Sequence, residues 1–310
     1  MKVFVAGAAG ALGAPLVRAL VAAGHDVTGT SRTGARAASV DKAGGRGVVC
    51  DALDRDAVFA AVRAAEPEVV IHQLTALPAR SLDLRKGSEA TNRLRREGTR
   101  HLVDAAVAAG ARRVLAESIA FLYEPTGPLI ANEESPVMTV SSGPFGALID
   151  AVKELERIVL GTDGIEGLVL RYGALYGPGT WYAADGDITE RVRKRGMPII
   201  GDGGALTSFL HVEDAAAATV QALTAGAPGV YNIADDAPVP YRELLPEFAS
   251  LLGAKPPRRL PRWVVRAVAG PVAASSLTEQ RGASNAKAKR ELGWTPRYPT
   301  WRDGFRAEFG

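Results

Sequence analysis

Along the first half of the chain, short apolar runs alternate with segments whose apolar positions recur every three or four residues. Lys2–Ala6 reads as a buried strand, Pro15–Ala23 as a helix closed by Gly24, Val27–Ser31 as a second strand and Gly47–Cys50 as a short third. The series continues with a helix over Asp54–Ala65, a strand over Val69–His72, a helix over Thr99–Ala109 ending at Gly110, and a strand over Arg113–Ser118. A helix over Ile149–Leu160 and a strand over Leu168–Arg171 complete it. Brief apolar strands separated by amphipathic helices predict a parallel sheet covered on both faces. Right-handed crossovers then make it a doubly wound, Rossmann-type α/β fold.

The pattern changes after Arg171. Gly and Pro cluster at 177–179 and 201–204, while Ser208–Val212, a helix over Glu213–Thr224 and Val230–Ile233 read as a return to the main sheet. Beyond Ala234 the chain is helical and rich in proline, with helices predicted over Tyr241–Leu252, Arg262–Ala269 and Ala286–Leu292. The expected division is a sheet domain formed by 1–171 and 207–233, and a smaller, discontinuous C-terminal lobe formed by 172–206 and 234–310.

Composition narrows the class. With 47% hydrophobic and 23% charged residues, the 310-residue chain is globular. A single cysteine excludes an internal disulfide framework, and the four scattered histidines have no ligand spacing, so no metal is expected. Lys plus Arg (37) barely exceeds Asp plus Glu (34), which does not make a nucleic-acid surface; the basic run Arg191–Arg195 reads as a solvated helix end. The apolar start is punctuated by glycines and does not read as a leader, and the apolar stretch 263–277 is broken by Arg266, Gly270 and Pro271. No membrane segment is expected, and a cytoplasmic location is.

The first strand–helix junction carries the chemistry. Gly7, Gly10 and Gly13 form a G-x-x-G-x-x-G loop between a strand and a helix. The first glycine suits a tight turn, the second lets a pyrophosphate approach the backbone, and the third lets the helix pack close. The backbone of Ala11 and Leu12 lies at the helix N-terminus, where free N–H groups favour phosphate. The second strand ends at Ser31-Arg32-Thr33 without a carboxylate, and Arg32, with Arg36 in support, suits a 2′-phosphate; NADP(H) is therefore expected over NAD(H). Asp51 and Ala52, after the third strand, are placed at the adenine, and Gln73, in the loop after the fourth, along the cofactor.

These residues resemble the extended and atypical short-chain dehydrogenase/reductases, in particular the NAD-dependent epimerase/dehydratase-like group. The likeness runs through the glycine loop, Asp51, IHQLTA (71–76), GTRHLVDAAVAAGARRVLAES (98–118), LRYGALYGPGT (170–180) and FLHVEDAAAA (209–218). GVYNIADDAPVPYREL (229–244) and NAKAKRELGWTPRY (285–298) extend it over nearly the whole chain. The resemblance implies an oxidoreductase or epimerase-like enzyme, with a small-molecule substrate bound between sheet and lobe and a homodimer as a possible assembly.

It also implies a Tyr-x-x-x-Lys pair on one helix and a Ser or Thr after the fifth strand. In that pattern the phenol moves the proton that accompanies hydride transfer, the lysine holds the nicotinamide ribose, and the hydroxyl polarises the substrate oxygen. Here the pattern fails. With Lys153 as the lysine, the tyrosine position is Ile149; with Glu156 as the acidic residue further along, the pair becomes Leu148 and Val152. Counting back from Tyr123 puts the hydroxyl position on Ile119, with Ser118 one residue early. Ser118, Lys153, Tyr123 and Tyr182 are the candidate catalytic residues, the two tyrosines as substitute proton donors. Tyr172, Trp181, His211 and Arg281 are placed against substrate. The expected function is an NADP(H)-dependent oxidoreductase or epimerase-like enzyme acting on a sugar nucleotide or a secondary-metabolite carbonyl or alcohol. A non-catalytic NADP(H) sensor or scaffold and a redox-neutral lyase or isomerase are the alternatives.

Overall fold

The computed structural model describes residues 1–139, 143–267 and 278–310. Seven strands form one parallel sheet: β1 (Lys2–Ala6), β2 (Asp26–Ser31), β3 (Arg46–Val49), β4 (Val69–His72), β5 (Arg113–Ile119), β7 (Glu166–Tyr172) and β12 (Gly229–Ile233). Their order is β12-β7-β5-β4-β1-β2-β3, so the chain reverses direction across the sheet between β1 and β4. In such sheets a crevice opens beyond the carboxyl ends of the strands at that point.

The two faces of the sheet build two cores. Val3, Val5, Leu115, Leu168 and Leu170 pack with Leu16 and Leu20 of α1 (Gly13–Ala22) and Ala215 and Ala218 of α8 (Val212–Gln221). Phe4, Val70, Val114, Ala116 and Val169 point the other way. They meet Val58 and Val62 of α3 (Arg55–Ala65), Leu102 of α5 (Thr99–Ala108) and Leu155 of α6 (Gly143–Gly161). Strand alternation alone divides the residues this way.

Three differences from the sequence reading have physical reasons. A helix, α4 (Leu84–Arg93), and a wide turn over Leu94–Gly98 precede α5; the segment LRKGSEATNRLRREG has too few apolar positions to show a stripe. Phe209–His211 forms a strand, β11, but it pairs with β8 (Ala174–Tyr176) outside the main sheet. The helix Ala286–Leu292, assigned to the lobe, packs on the sheet domain: Ala288, Leu292 and Trp294 join the core of β1 and α1, and Lys287 Nζ donates to the Val230 carbonyl at 2.8 Å. Residues 268 and 269 of the helix predicted over Arg262–Ala269 lie outside the described residues.

The lobe has its own aromatic core. Tyr176, Tyr182, Phe209, Phe248, Trp301 and Phe305 meet between α7 (Asp187–Arg193), α9 (Tyr241–Leu251) and the terminal helix Trp301–Phe309. No helix among the described residues is long and apolar enough to cross a membrane, and none of their His, Cys, Asp or Glu side chains group as a metal site.

Candidate active site

The glycine loop is fixed by close approach. Gly7 sits at φ +87°, and a Cβ there would lie 2.4 Å from the Gln73 carbonyl oxygen. A Cβ on Gly13 would lie 2.1 Å from the Gly7 carbonyl oxygen, so the start of α1 can rest on the turn only without one. Gly10 differs: its Cβ would meet only the Gly7 oxygen, at 3.3 Å. Internal packing therefore leaves its outer side open, the surface that an approaching phosphate needs. Ala11 and Leu12 lead into the N-terminus of α1, where the helix's first N–H groups point outward.

Around the loop, Arg36 Nη2 donates to the Ala9 carbonyl at 2.9 Å. Arg32 is exposed at the end of β2 and makes no hydrogen bond or ion pair among the described residues. Asp51 accepts the Leu53 N–H at 3.0 Å, while Asp54 caps α3 by accepting from Ala57 N. Ala52 is buried, with its carbonyl 3.0 Å from His101 Nδ1. The Gln73 amide donates to the Tyr172 hydroxyl at 3.1 Å.

Most of the side chains expected to carry catalysis are engaged elsewhere. Ser118 points to the α6 face of the sheet and donates to Glu156 Oε1 at 2.7 Å. Arg171 grips the same carboxylate at 2.8 and 2.6 Å and donates to the Tyr123 hydroxyl at 3.0 Å. Tyr123 in turn donates to Asn232 Oδ1 at 2.6 Å. Ser118, Tyr123, Arg171 and Asn232 are each under 5% exposed. This network is a seam between β5, β7, β12 and α6, and it engages both Ser118 and Tyr123. Burial also raises the Tyr123 phenol above its ordinary pKa, although Arg171 opposes the shift.

Tyr182 is engaged as well. Its ring packs edge-on against Phe209 in the lobe core, 5.1 Å between centroids, and its hydroxyl meets that of Tyr241. Tyr172 is 3% exposed and packs in the core, with its hydroxyl held by Gln73 and Thr219. His211 caps α8 through Nδ1, which accepts from Glu213 N, and its Nε2 stands 3.0 Å from Glu308. Those bonds latch the helix Trp301–Phe309 to the start of α8. Arg281 donates through Nη2 to the Pro125 carbonyl. Trp181 Nε1 donates to the Pro78 carbonyl at 3.0 Å, tying the lobe to the loop after β4. Lys153 is half-buried on α6 and has no bonded partner among the described residues.

No tyrosine occurs anywhere in α6. Ile119 and Ile149, the positions reached by counting from Tyr123 and Lys153, pack into one apolar cluster with Leu122, Val152 and Leu148. The positions from the second register, Leu148 and Val152, lie in the same cluster. The sequence reading missed Glu117 and Arg95, both buried at the carboxyl edge of β5, with Arg95 Nε 3.7 Å from Glu117 Oε1. The available signal was the one charged residue in the run VLAESI.

The model of the NAD dependent epimerase/dehydratase family matches residues 3–234. The chain belongs to that family. A family of this description works with a nicotinamide dinucleotide, and the Gly7–Gly13 loop fits one. Among curated proteins, the chain is 48% identical over 309 residues to a 3-diazoavenalumate denitrifying reductase from a Streptomyces species, covering 99% of this chain and 100% of the relative. It is 31% identical over 250 residues to a ceramide reductase from Caulobacter vibrioides, covering 78% and 70%. A solved UDP-glucose 4-epimerase from Thermotoga maritima shares the fold at TM-score 0.80 and 20% identity, with 100% of this chain and 97% of that one covered. The family and its reductase relatives make the chain an oxidoreductase- or epimerase-type enzyme.

Proposed function

We propose that this protein is an NADP(H)-dependent reductase that removes dinitrogen from a small aromatic diazonium compound. The observation that carries the reading is the apolar cluster of Ile119, Leu148, Ile149 and Val152, which fills the expected hydroxyl position and the phenol position of both registers. The end-to-end similarity to a denitrifying reductase supports it.

The absence of a phenol fits this chemistry. Reducing a carbonyl to an alcohol takes up a proton, and a positioned acid is worth roughly 10²–10⁴-fold in rate. A bound reduced nicotinamide would supply hydrogen with its electron pair, and an arenediazonium that accepted it would become arene and dinitrogen with no proton consumed. What this chain must do is hold the two reactants together and keep water out. Gly7, Gly10, Gly13 and the N-terminus of α1 hold the pyrophosphate. Arg32 and Arg36 receive the 2′-phosphate, Asp51 the adenine and Lys153 the nicotinamide ribose. The isoleucine cluster excludes water from the reacting end, which protects an electrophile prone to hydrolysis. Trp181 and Arg281, from the lobe, close the substrate side.

The test is turnover of a substituted benzenediazonium with NADPH, following dinitrogen, arene and cofactor oxidation together. One equivalent of each is expected, with ketones and aldehydes left unreduced. Carbonyl reduction at comparable kcat/KM overturns the reading. Tight NADPH binding with no turnover of either class replaces it with a cofactor-sensing protein.

A further inference from the structure

At the carboxyl end of β5, two opposite charges are buried without completing their hydrogen bonds. Glu117 is 8% exposed and Arg95 4%. Arg95 Nε lies 3.7 Å from Glu117 Oε1, too far for a hydrogen bond. Neither atom has a hydrogen-bond partner among the described residues. Asn92, three residues before Arg95, carries a buried Oδ1 in the same condition. Buried polar atoms are nearly always paired, so orphaned atoms from a Glu, an Arg and an Asn call for an explanation.

Their place in the fold supplies one. His72 is in register with Ala116, which sets Gln73 beside Glu117. Gln73 is also the residue whose carbonyl closes on Gly7. By alternation Glu117 projects to the face of Leu115, Leu170 and Tyr172, the face that also carries α1 and the glycine loop. The carboxylate therefore stands level with the turn at Gly7, one strand beyond β4, with a buried, unbonded oxygen and one guanidinium 3.7 Å away. Burial, the larger effect, raises the carboxyl pKa above its ordinary value against the pull of Arg95; a cation beside it favours the ionised form.

We propose that Glu117, positioned by Arg95, selects a positively charged acceptor over a neutral carbonyl in this site. The inference rests on the diazonium reading and adds a residue to it. A carboxylate in a water-poor site repels the oxyanion that forms when a carbonyl is reduced, and it attracts a cation. Reduction of a diazonium keeps one positive charge among the reacting groups throughout, so the carboxylate favours both ends of that reaction.

The experiment uses a near-isosteric pair, 4-methoxybenzenediazonium and uncharged 4-methoxybenzonitrile, which differ at one atom and in charge. Each is titrated calorimetrically into the full chain loaded with NADP⁺, which permits no turnover, in cold, near-neutral buffer. The wild type is expected to bind the cation at least about tenfold more tightly. Glu117→Gln should abolish that preference while leaving nitrile binding and NADP⁺ affinity unchanged, and Glu117→Asp should restore part of it. Equal binding of the two probes by the wild type, which needs no variant to fold, overturns the inference. So does a preference that survives in Glu117→Gln. Cation preference without turnover in the presence of NADPH would refute the reductase reading and leave the selectivity standing.

Discussion

The glycine loop and the β5–α6 seam lie on one sheet and use their residues in opposite ways. At the loop, the work is done by backbone: Gly7 and Gly13 are needed because carbonyl oxygens stand where their Cβ atoms would be. At the seam, two side chains expected to react, Ser118 and Tyr123, are bonded into a network with Glu156, Arg171 and Asn232. A backbone cradle comes with the fold. A catalytic pattern is only a choice of side chains, and it can be rewritten without moving a strand.

The strongest way to break this contrast is at the seam. Arg171→Met should cost about 3–5 kcal/mol in urea unfolding, because it leaves the Glu156 carboxylate buried without its partner. Arg171→Met combined with Glu156→Leu should recover most of that loss. A single-variant cost below about 1 kcal/mol would mean that the network is not an anchor.

At the loop, Gly13→Ala should weaken NADPH binding by about 100-fold, or ~3 kcal/mol, measured by fluorescence titration. Gly24→Ala, where φ is +79° but a Cβ would meet nothing within 4 Å, should leave that affinity unchanged. Equal effects would show that backbone strain, not the cradle, sets the binding. Arg32→Ala should have a smaller effect, about tenfold on NADPH and none on NADH; equal loss of both would remove the basis for preferring the phosphorylated cofactor.

The smallest net effect is expected from pH, because two buried groups oppose each other. Burial lowers His72 in the sheet domain from 6.5 to about 4. Between those values the unfolded chain holds a proton that the folded one lacks, so this contribution is lost as pH falls from about 6.5 to about 4. Burial raises Asp235, just after β12, from 3.8 to about 7. There the folded chain holds the extra proton, so stability is lost as pH rises through that range. Thermal melts of Asp235→Asn should therefore rise relative to wild type above pH 7, and those of His72→Gln should flatten the acid side. Parallel curves for wild type and variant would refute the assignment.

The strands and the glycine loop could be read directly because their signals are local: apolar runs, and glycines at fixed spacing between a strand and a helix. Ala286–Leu292 was bounded correctly yet placed in the wrong unit, since its residues do not reveal which core they enter. The seam was hidden for a related reason. Ser118, Glu156 and Arg171 are far apart in the chain and become neighbours only when β5, β7 and α6 pack. Glu117 was the opposite case: its charge was plain in an apolar strand, but nothing local said that it would stay buried beside Arg95.

The helix Ala286–Leu292 has a consequence for how the molecule is made. Ala288, Leu292 and Trp294 complete a core begun by Val3, Val5 and Leu16. A nascent chain emerges from its amino end, so β12, which this helix packs against, waits for a later segment before its surroundings are whole. Until then the half-finished sheet offers sticky surface to chaperones and to other nascent chains. The β12 edge of the sheet is thus finished only after much of the lobe has been made.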